Sequence, residues 1–171
     1  MTVEPLYAKG DWIVHSRYGV GQVQGKDKKK LNGKERLYLK VKTANSEFWL
    51  PANKTDVDHI RPVAYKSTFR NTLTTIRRKP KALSDNFRTR QKHIADILDN
   101  GALIKIARLI RDLHGRQYAK QLTMHEQDIY NRIKGRFIDE WAISAGIAPQ
   151  AAEQRLEEAL LQSVNKLETK N

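Results

Sequence analysis

The first third of the chain alternates between apolar and polar residues with the period of a β-strand. From Arg36 to Val41 every second side chain is apolar, which places Leu37, Leu39 and Val41 on one face. Other short apolar runs also predict strands, at residues 11–15, 20–23 and 47–51. We therefore expect β structure over residues 11–62.

Turn signals separate these predicted strands. Residues 16–19, Ser-Arg-Tyr-Gly, look like a turn, and Asn32-Gly33 is a hairpin signal. The lysine-rich stretch from Lys26 to Gly33 is interpreted as a connection between strands. Several short strands with turns between them predict a small closed or half-closed barrel of the SH3/Tudor type.

After Pro62 the apolar period becomes helical. Phe69, Leu73 and Ile76 are spaced i, i+4 and i+7, which predicts a first helix. A basic run that contains a proline ends this helix, at residues 77–81. Ser84 is predicted to cap the second helix, and Gly101 to follow its end.

Three further helical patterns follow. The third helix carries the apolar positions Leu103, Ile106, Leu109, Ile110 and Leu113. A capping-box pattern at residues 123–126 starts the fourth helix, which should end near Gly146. Pro149 fits the first turn of the fifth, whose inward positions are predicted to be Leu156, Leu160 and Leu161.

These patterns define the expected architecture. The fold class is α+β, with an N-terminal small Tudor/SH3-like β-barrel domain in residues 1–65. A C-terminal all-α helical domain follows in residues 66–171.

The charge of the chain is concentrated in its middle. The formal net charge is +13, and residues 66–120 hold 14 Lys or Arg against 4 Asp or Glu. Residues 1–65 hold 12 against 7, and residues 121–171 hold 6 against 8. A clustered positive field attracts a polyanion, of which nucleic acid is the commonest in a cytosol. The alternative is a solvated basic surface that has no partner.

Other classes of function find little support. The chain has no cysteine, so it offers neither a disulfide nor a thiolate metal site. Gly19-Val20-Gly21 lacks the third glycine of a dinucleotide loop, because residue 24 is Gln, and His125-Glu126 lacks the second histidine of a zinc-protease helix. We expect no enzymatic activity, cofactor or metal. With no apolar stretch of roughly 20 residues and no signal peptide, we expect a cytoplasmic, nucleoid-associated protein without membrane contact.

Basic and aromatic side chains are interleaved in the helical part. The candidate phosphate-binding residues are Arg77, Arg78, Lys79, Lys81, Arg88, Arg90, Lys92 and Arg116. An apolar side chain beside them can wedge into unstacked bases. Phe87 has that position, but on periodicity alone the favoured interpretation is a core aromatic near a helix start.

Several motifs resemble one known family. Lys9-Gly10-Asp11, Ile13-Val14-His15 and residues 18–21, Tyr-Gly-Val-Gly, are similar to the opening of the CarD/CdnL RNA polymerase-interacting domain, which also occurs in transcription-repair coupling factors. Residues 48–51 and 60–63 are similar to its closing segments. Residues 108–113 and 122–126 resemble the family's helical V-V-R-D-L and L-S-x-x-E segments. The resemblance covers roughly residues 7 to 161.

The resemblance implies a function. Proteins of this family bind the RNA polymerase β subunit through the β domain and place the helical domain on promoter DNA, at the upstream edge of the transcription bubble. There an aromatic residue, usually Trp, wedges into the minor groove and stabilises the open complex. The matching position in this chain is Phe87, which lacks the indole N–H. We expect weak sequence preference, and a monomer within the complex.

The resemblance also implies polymerase-contacting residues. A basic residue in the hairpin before the Asn32-Gly33 turn corresponds to Lys29, and a second basic position corresponds to Trp49. Trp49 is either a hydrophobic binding anchor or a barrel-core residue. Phe48 and Trp49 are consecutive, so on a strand they face opposite ways and only one can lie in the core.

A second hypothesis about the function stays open at this point. A ribosome- or RNA-associated basic protein with an SH3-like module would have the same charge and the same β pattern. A polymerase pull-down would separate the two functions.

Overall fold

A computed structural model describes residues 6–54 and 59–169, without the side chain of Lys54. The chain divides into two compact units, Met1–Val63 and Ala64–Asn171. Among the described residues, the first unit contains an antiparallel sheet and the regular secondary structure of the second is helical, so the predicted α+β class is confirmed. That the units act as separate domains, with a boundary near residue 65, stays a prediction.

The β unit is one antiparallel sheet. Its strands lie in the spatial order β4-β3-β2-β1-β5. They are β1 (Trp12–His15), β2 (Gly19–Leu31), β3 (Lys34–Lys42), β4 (Glu47–Pro51) and β5 (Ile60–Pro62). The alternation at residues 36–41 places Leu37, Leu39 and Val41 on one face, as predicted. Leu39 and Val41 are fully buried, and the partly buried Leu37 packs against the same core. Ile13 and Val23 complete the centre of that core.

The hairpin of β2 and β3 is longer than predicted. Lys26 to Leu31, expected to be a connection, forms the second half of β2 and pairs with β3. β4 pairs with β3 only from Tyr38 onward, so in the described part of the chain residues 28–37 form a two-stranded extension, here named the ribbon. Asn32 and Gly33 close it with φ angles of 52° and 77°, as a type I′ turn requires.

Residues 64–169 of the helical unit, which the structure describes, form five helices. They are α1 (Lys66–Ile76), α2 (Phe87–Asn100), α3 (Leu103–Ala119), α4 (Met124–Ala145) and α5 (Pro149–Glu168). Their buried faces form one core, in which Phe69 lies 5.3 Å from Phe137 and 6.0 Å from Trp141, measured between ring centroids. No helix of the described ranges is long and apolar enough to cross a membrane.

Most helix ends follow the sequence signals. Thr123 forms the predicted capping box with Glu126. Gly101 and Gly146 end α2 and α4 in left-handed conformation, and Pro149 begins α5. Two expectations were wrong. Asn86, not Ser84, caps α2, because its side chain reaches the Thr89 amide at 3.0 Å. Leu161 is 58% exposed, because the buried stripe of α5 runs through residues 152, 156, 159, 160, 163 and 164.

Candidate nucleic-acid and protein interfaces

Residues 77–86 connect α1 to α2 and are named here the basic loop. Four of the predicted phosphate-binding side chains lie in it and all four are exposed: Arg77, Arg78, Lys79 and Lys81. Pro80, in their midst, is buried. The cations therefore surround a residue that anchors the loop to the helices.

The side chains of α3 hold the backbone of this loop. Asp112 accepts a hydrogen bond from the Lys81 amide at 2.9 Å. Asp112 is itself bonded by the neighbouring Arg111, whose Nη1 also donates to the carbonyl of Thr75 at the end of α1. Because a buried carboxylate needs charged or hydrogen-bonding partners, this network fixes the loop against α3.

Arg90 supports the same loop from within. It is 4% exposed and forms a buried ion pair with Glu126, while its Nη1 donates to the carbonyl oxygens of Ser84 and Asp85 at 2.8 and 3.2 Å. Burial alone would raise the pKa of Glu126, but bonds from Arg90 and from the Thr123 amide hold that pKa below its usual range. Arg90, predicted to bind phosphate, is thus enclosed by protein, and we leave it out of the proposed DNA surface.

Arg116 is also largely covered. Its side chain is 12% exposed, and its Nη1 lies 3.3 Å from the Asp85 carboxylate in the loop. The Lys120 ammonium ion approaches the same carboxylate at 2.7 Å. Bonds from Lys120 first and Arg116 second hold the pKa of Asp85 below its usual range. Arg116 therefore serves mainly to anchor the basic loop, and little of its side chain is exposed to solvent.

Phe87 is the first residue of α2 and follows directly on the basic loop. Its side chain is 54% exposed, so the interpretation of Phe87 as a core aromatic is wrong. The Arg90 guanidinium lies 5.8 Å from the ring centroid, within the range of a cation–π contact. The exposed Arg88 and Lys92 lie one helical turn apart on the same side of α2.

In the β unit, Trp49 faces away from the core. It is half-buried and pairs with Lys40 across β3 and β4, whereas its neighbours Phe48 and Leu50 are buried on the other face. The barrel-core interpretation of Trp49 is therefore wrong. Lys29 Nζ lies 3.4 Å from the centroid of the Trp49 ring, so the structure brings together these two predicted polymerase-contacting residues.

Phe48 is placed differently. It is 8% exposed and stacks on Tyr18 at 4.6 Å between centroids, with His15 packed edge-on at 5.4 Å. The accessible ring of this cluster is Tyr18, which the sequence did not mark as a site residue. The sequence also assigned no role to Asp85 or to Asp112, although Asp112 lies in the segment 108–113 that resembles the family, because their bonds join the loop to residues of α3 that are far apart from it in the chain.

The structure thus combines a small antiparallel β unit that carries a half-buried Trp–Lys pair with a helical unit that has a basic loop beside an exposed aromatic ring. Comparison with known families agrees with it. Residues 7–64 match the family described as "CarD-like/TRCF RID domain", and residues 71–157, half of the chain, match "CarD, C-terminal domain".

The chain belongs to the CarD family. Its members are non-enzymatic transcription factors, and the RID domain is an RNA polymerase-interacting domain. The family match therefore indicates an RNA polymerase-interacting transcription factor.

Proposed function

We propose that this protein is a transcription regulator that binds the RNA polymerase β subunit through its β unit and promoter DNA through its helical unit. It acts as one copy per complex in the nucleoid. Its helical unit lies in the minor groove at the upstream edge of the transcription bubble and stabilises the open complex. The observation that carries the proposal is the exposed Phe87 ring beside a basic loop whose cations face solvent.

The basic loop is suited to phosphates of any sequence. Its four exposed cations are long side chains on a backbone held by α2 and α3, and no zinc finger or helix-turn-helix signature accompanies them. Contacts to phosphates supply affinity without reading bases. Weak sequence preference and a strong salt dependence follow from this arrangement.

The ring of Phe87 is suited to unstacked bases. It begins a helix, is half exposed and has Arg88 next to it. A flat apolar side chain in this position can insert at a step where the duplex opens, and basic neighbours hold the flanking phosphates. Once inserted, the ring would have to leave before the bubble could close.

The β unit is suited to a protein partner. Trp49 with Lys29 over its face forms an accessible aromatic and cationic pair, and Trp is enriched at the centres of protein interfaces. We assign this pair, rather than the covered Phe48, to the contact with the β subunit.

The decisive experiment measures open-complex lifetime with Phe87 variants. Base–aromatic stacking is worth roughly 1–3 kcal/mol, so Phe87→Ala should shorten the lifetime by about five- to a hundredfold, while Phe87→Trp should preserve or lengthen it. Tyr65→Ala, which removes another exposed ring of the helical unit, should leave it unchanged. Thermal melts must accompany the kinetics. An unchanged lifetime for Phe87→Ala would refute the insertion of this ring into the DNA.

A pull-down with the full chain separates the two functions considered from the sequence. Absence of polymerase from the bound fraction would favour the ribosome- or RNA-associated function.

A further inference from the structure

The end of α5 is bonded to the first residues of the basic loop. Ser163 Oγ donates to the carbonyl oxygen of Arg78 at 2.7 Å, and Lys166 Nζ donates to the carbonyl oxygen of Arg77. These carbonyls follow the last turn of α1, where helical hydrogen bonds run out and other partners are needed. Ser163 is fully buried, so the donor side of its partly buried bond to Arg78 is shielded from water. Both donors come after residue 157, where the family match ends.

On the α3 side, the loop packs against a glycine. A methyl group added at Gly115 would lie 2.4 Å from Pro80 Cβ and 2.7 Å from Pro80 Cγ. The proline ring is rigid, so it could not fold away from such a group and the loop itself would have to shift. Gly115 therefore sets how closely the basic loop approaches α3.

We propose that Gly115 and Ser163 are positioning residues for phosphate binding by the basic loop. Neither contacts DNA; they fix the backbone from which Arg77, Arg78, Lys79 and Lys81 project. A cation on a fixed backbone loses less conformational freedom when it binds a phosphate, and several such cations can bind at once. This inference rests on the proposed DNA binding of the helical unit, and it assigns part of that affinity to two residues that carry no charge.

The first test compares two glycine-to-alanine changes in helices. Gly115→Ala should displace the loop, whereas at Gly135 in α4 an added Cβ would meet no described atom within 4 Å apart from its chain neighbours and the nearby backbone of α4 itself. Binding of the full chain to a fluorescein-labelled duplex of mixed sequence is measured from about 50 to 200 mM salt. The slope of log affinity against log salt counts the phosphates neutralised, and it should fall by about 1 or more in Gly115→Ala. Gly135→Ala should keep the wild-type slope, although both variants retain every cation.

The second test removes the hydroxyl of Ser163. Ser163→Ala should lower the slope in the same direction, while Thr74→Ala, which removes a comparable hydroxyl-to-carbonyl bond within α1, should not. Thermal melts establish that each variant is folded at the temperature of the assay. If Gly115→Ala fails to fold, the salt slope of Ser163→Ala alone decides whether the inference holds. Wild-type slopes in both would overturn the inference alone, and a wild-type chain without salt-dependent DNA binding would overturn the proposed function with it.

Discussion

The basic loop of the helical unit and the ribbon of the β unit carry similar charge on different supports. Residues 77–86 hold four Lys or Arg against one Asp, and residues 28–37 hold five against one Glu. The loop is tied to α2, α3 and α5 by bonds to its backbone. In the described part of the chain, the two strands of the ribbon have backbone pairing only with each other, and Lys29 pairs directly with Arg36; contact with the rest of the β unit is through side chains such as Leu37 and Lys29.

Because the two regions have similar charge, their difference shows what a fixed backbone adds to the binding of phosphates. Like charges opposite each other destabilise a strand pair, and a two-stranded hairpin is marginally stable on its own. The ribbon is therefore expected to open locally more readily than the loop, and its cations to gain less when they bind a phosphate. A basic sequence predicts attraction to DNA in both regions, but the backbone contacts favour the loop.

The largest expected effect concerns the ion pair beneath the loop. Arg90→Ala leaves the Glu126 carboxylate buried without its partner, which should lower the free energy of unfolding by about 3–5 kcal/mol. Arg88→Ala, an exposed neighbour on the same helix, should stay within about 0.5 kcal/mol of wild type. Chemical denaturation followed by the far-UV signal of the helices measures both. Equal effects for the two variants would contradict the support that we assign to Arg90.

The same pair gives stability a dependence on pH. The pKa of Glu126 is lowered in the folded chain, so the unfolded chain binds a proton more readily. The contribution of Glu126 is therefore fully present above its unfolded pKa of about 4.5 and is lost as pH falls through the folded value. Denaturation of wild type and Glu126→Gln at pH 7 and at about pH 3 checks the sign, since the difference between them should shrink in acid.

Binding to polymerase should depend on the outer face of the β unit. Trp49→Ala is expected to weaken binding to the β subunit by about 2 kcal/mol, or roughly thirtyfold, as for an aromatic residue at an interface centre. Trp12→Ala, which removes the exposed tryptophan of β1, is the matched control and should change affinity little. A pull-down or titration with the full chain measures the affinity of both variants. A loss of affinity confined to Trp12→Ala would indicate that the polymerase interface lies at β1 instead.

Matched pairs of charges test the comparison directly. Arg77→Ala with Arg78→Ala should reduce the slope of log DNA affinity against log salt by about 2. Lys28→Ala with Lys30→Ala removes the same charge from the ribbon and should change the slope by less than 1. If the ribbon variant loses as much as the loop variant, backbone support does not decide which cations bind DNA.

The smallest effect is expected at the contact between Lys29 and Trp49. A cation–π contact that is still partly open to solvent contributes about 0.5–1 kcal/mol, so Lys29→Ala should destabilise the β unit by that amount. Lys28→Ala, the exposed neighbour on the opposite face of the ribbon, should be neutral. Unfolding followed by tryptophan fluorescence measures the difference between the two variants, and a Lys29→Ala curve identical to wild type would contradict the contact.

Much of the fold could be predicted because local rules act on adjacent residues. The Asn32-Gly33 turn, the Thr123 capping box and the glycines that end α2 and α4 each need only a few neighbouring residues. The second half of β2 was missed because its lysines show no apolar alternation, since neither face of the ribbon packs fully on the core. Its pairing becomes visible only with the partner strand.

The candidate site could be predicted only in outline. The basic run at residues 77–81 and the position of Phe87 were visible in the sequence. The burial of Arg90 was not, because its partner Glu126 lies 36 residues away. The exposure of Phe87 was equally open, because the first residue of a helix can face either way until the packing of the other helices is known.

Glu126 has two functions that constrain its replacement differently. One carboxylate oxygen accepts the Thr123 amide and so begins α4, while the other accepts Arg90 and so fixes the start of α2. The local capping rule allows Gln at this position as readily as Glu. The buried guanidinium does not, because an amide carries no charge to neutralise it. Among relatives that keep arginine at position 90, we therefore expect glutamate at 126, and a change at either position to be accompanied by a change at the other.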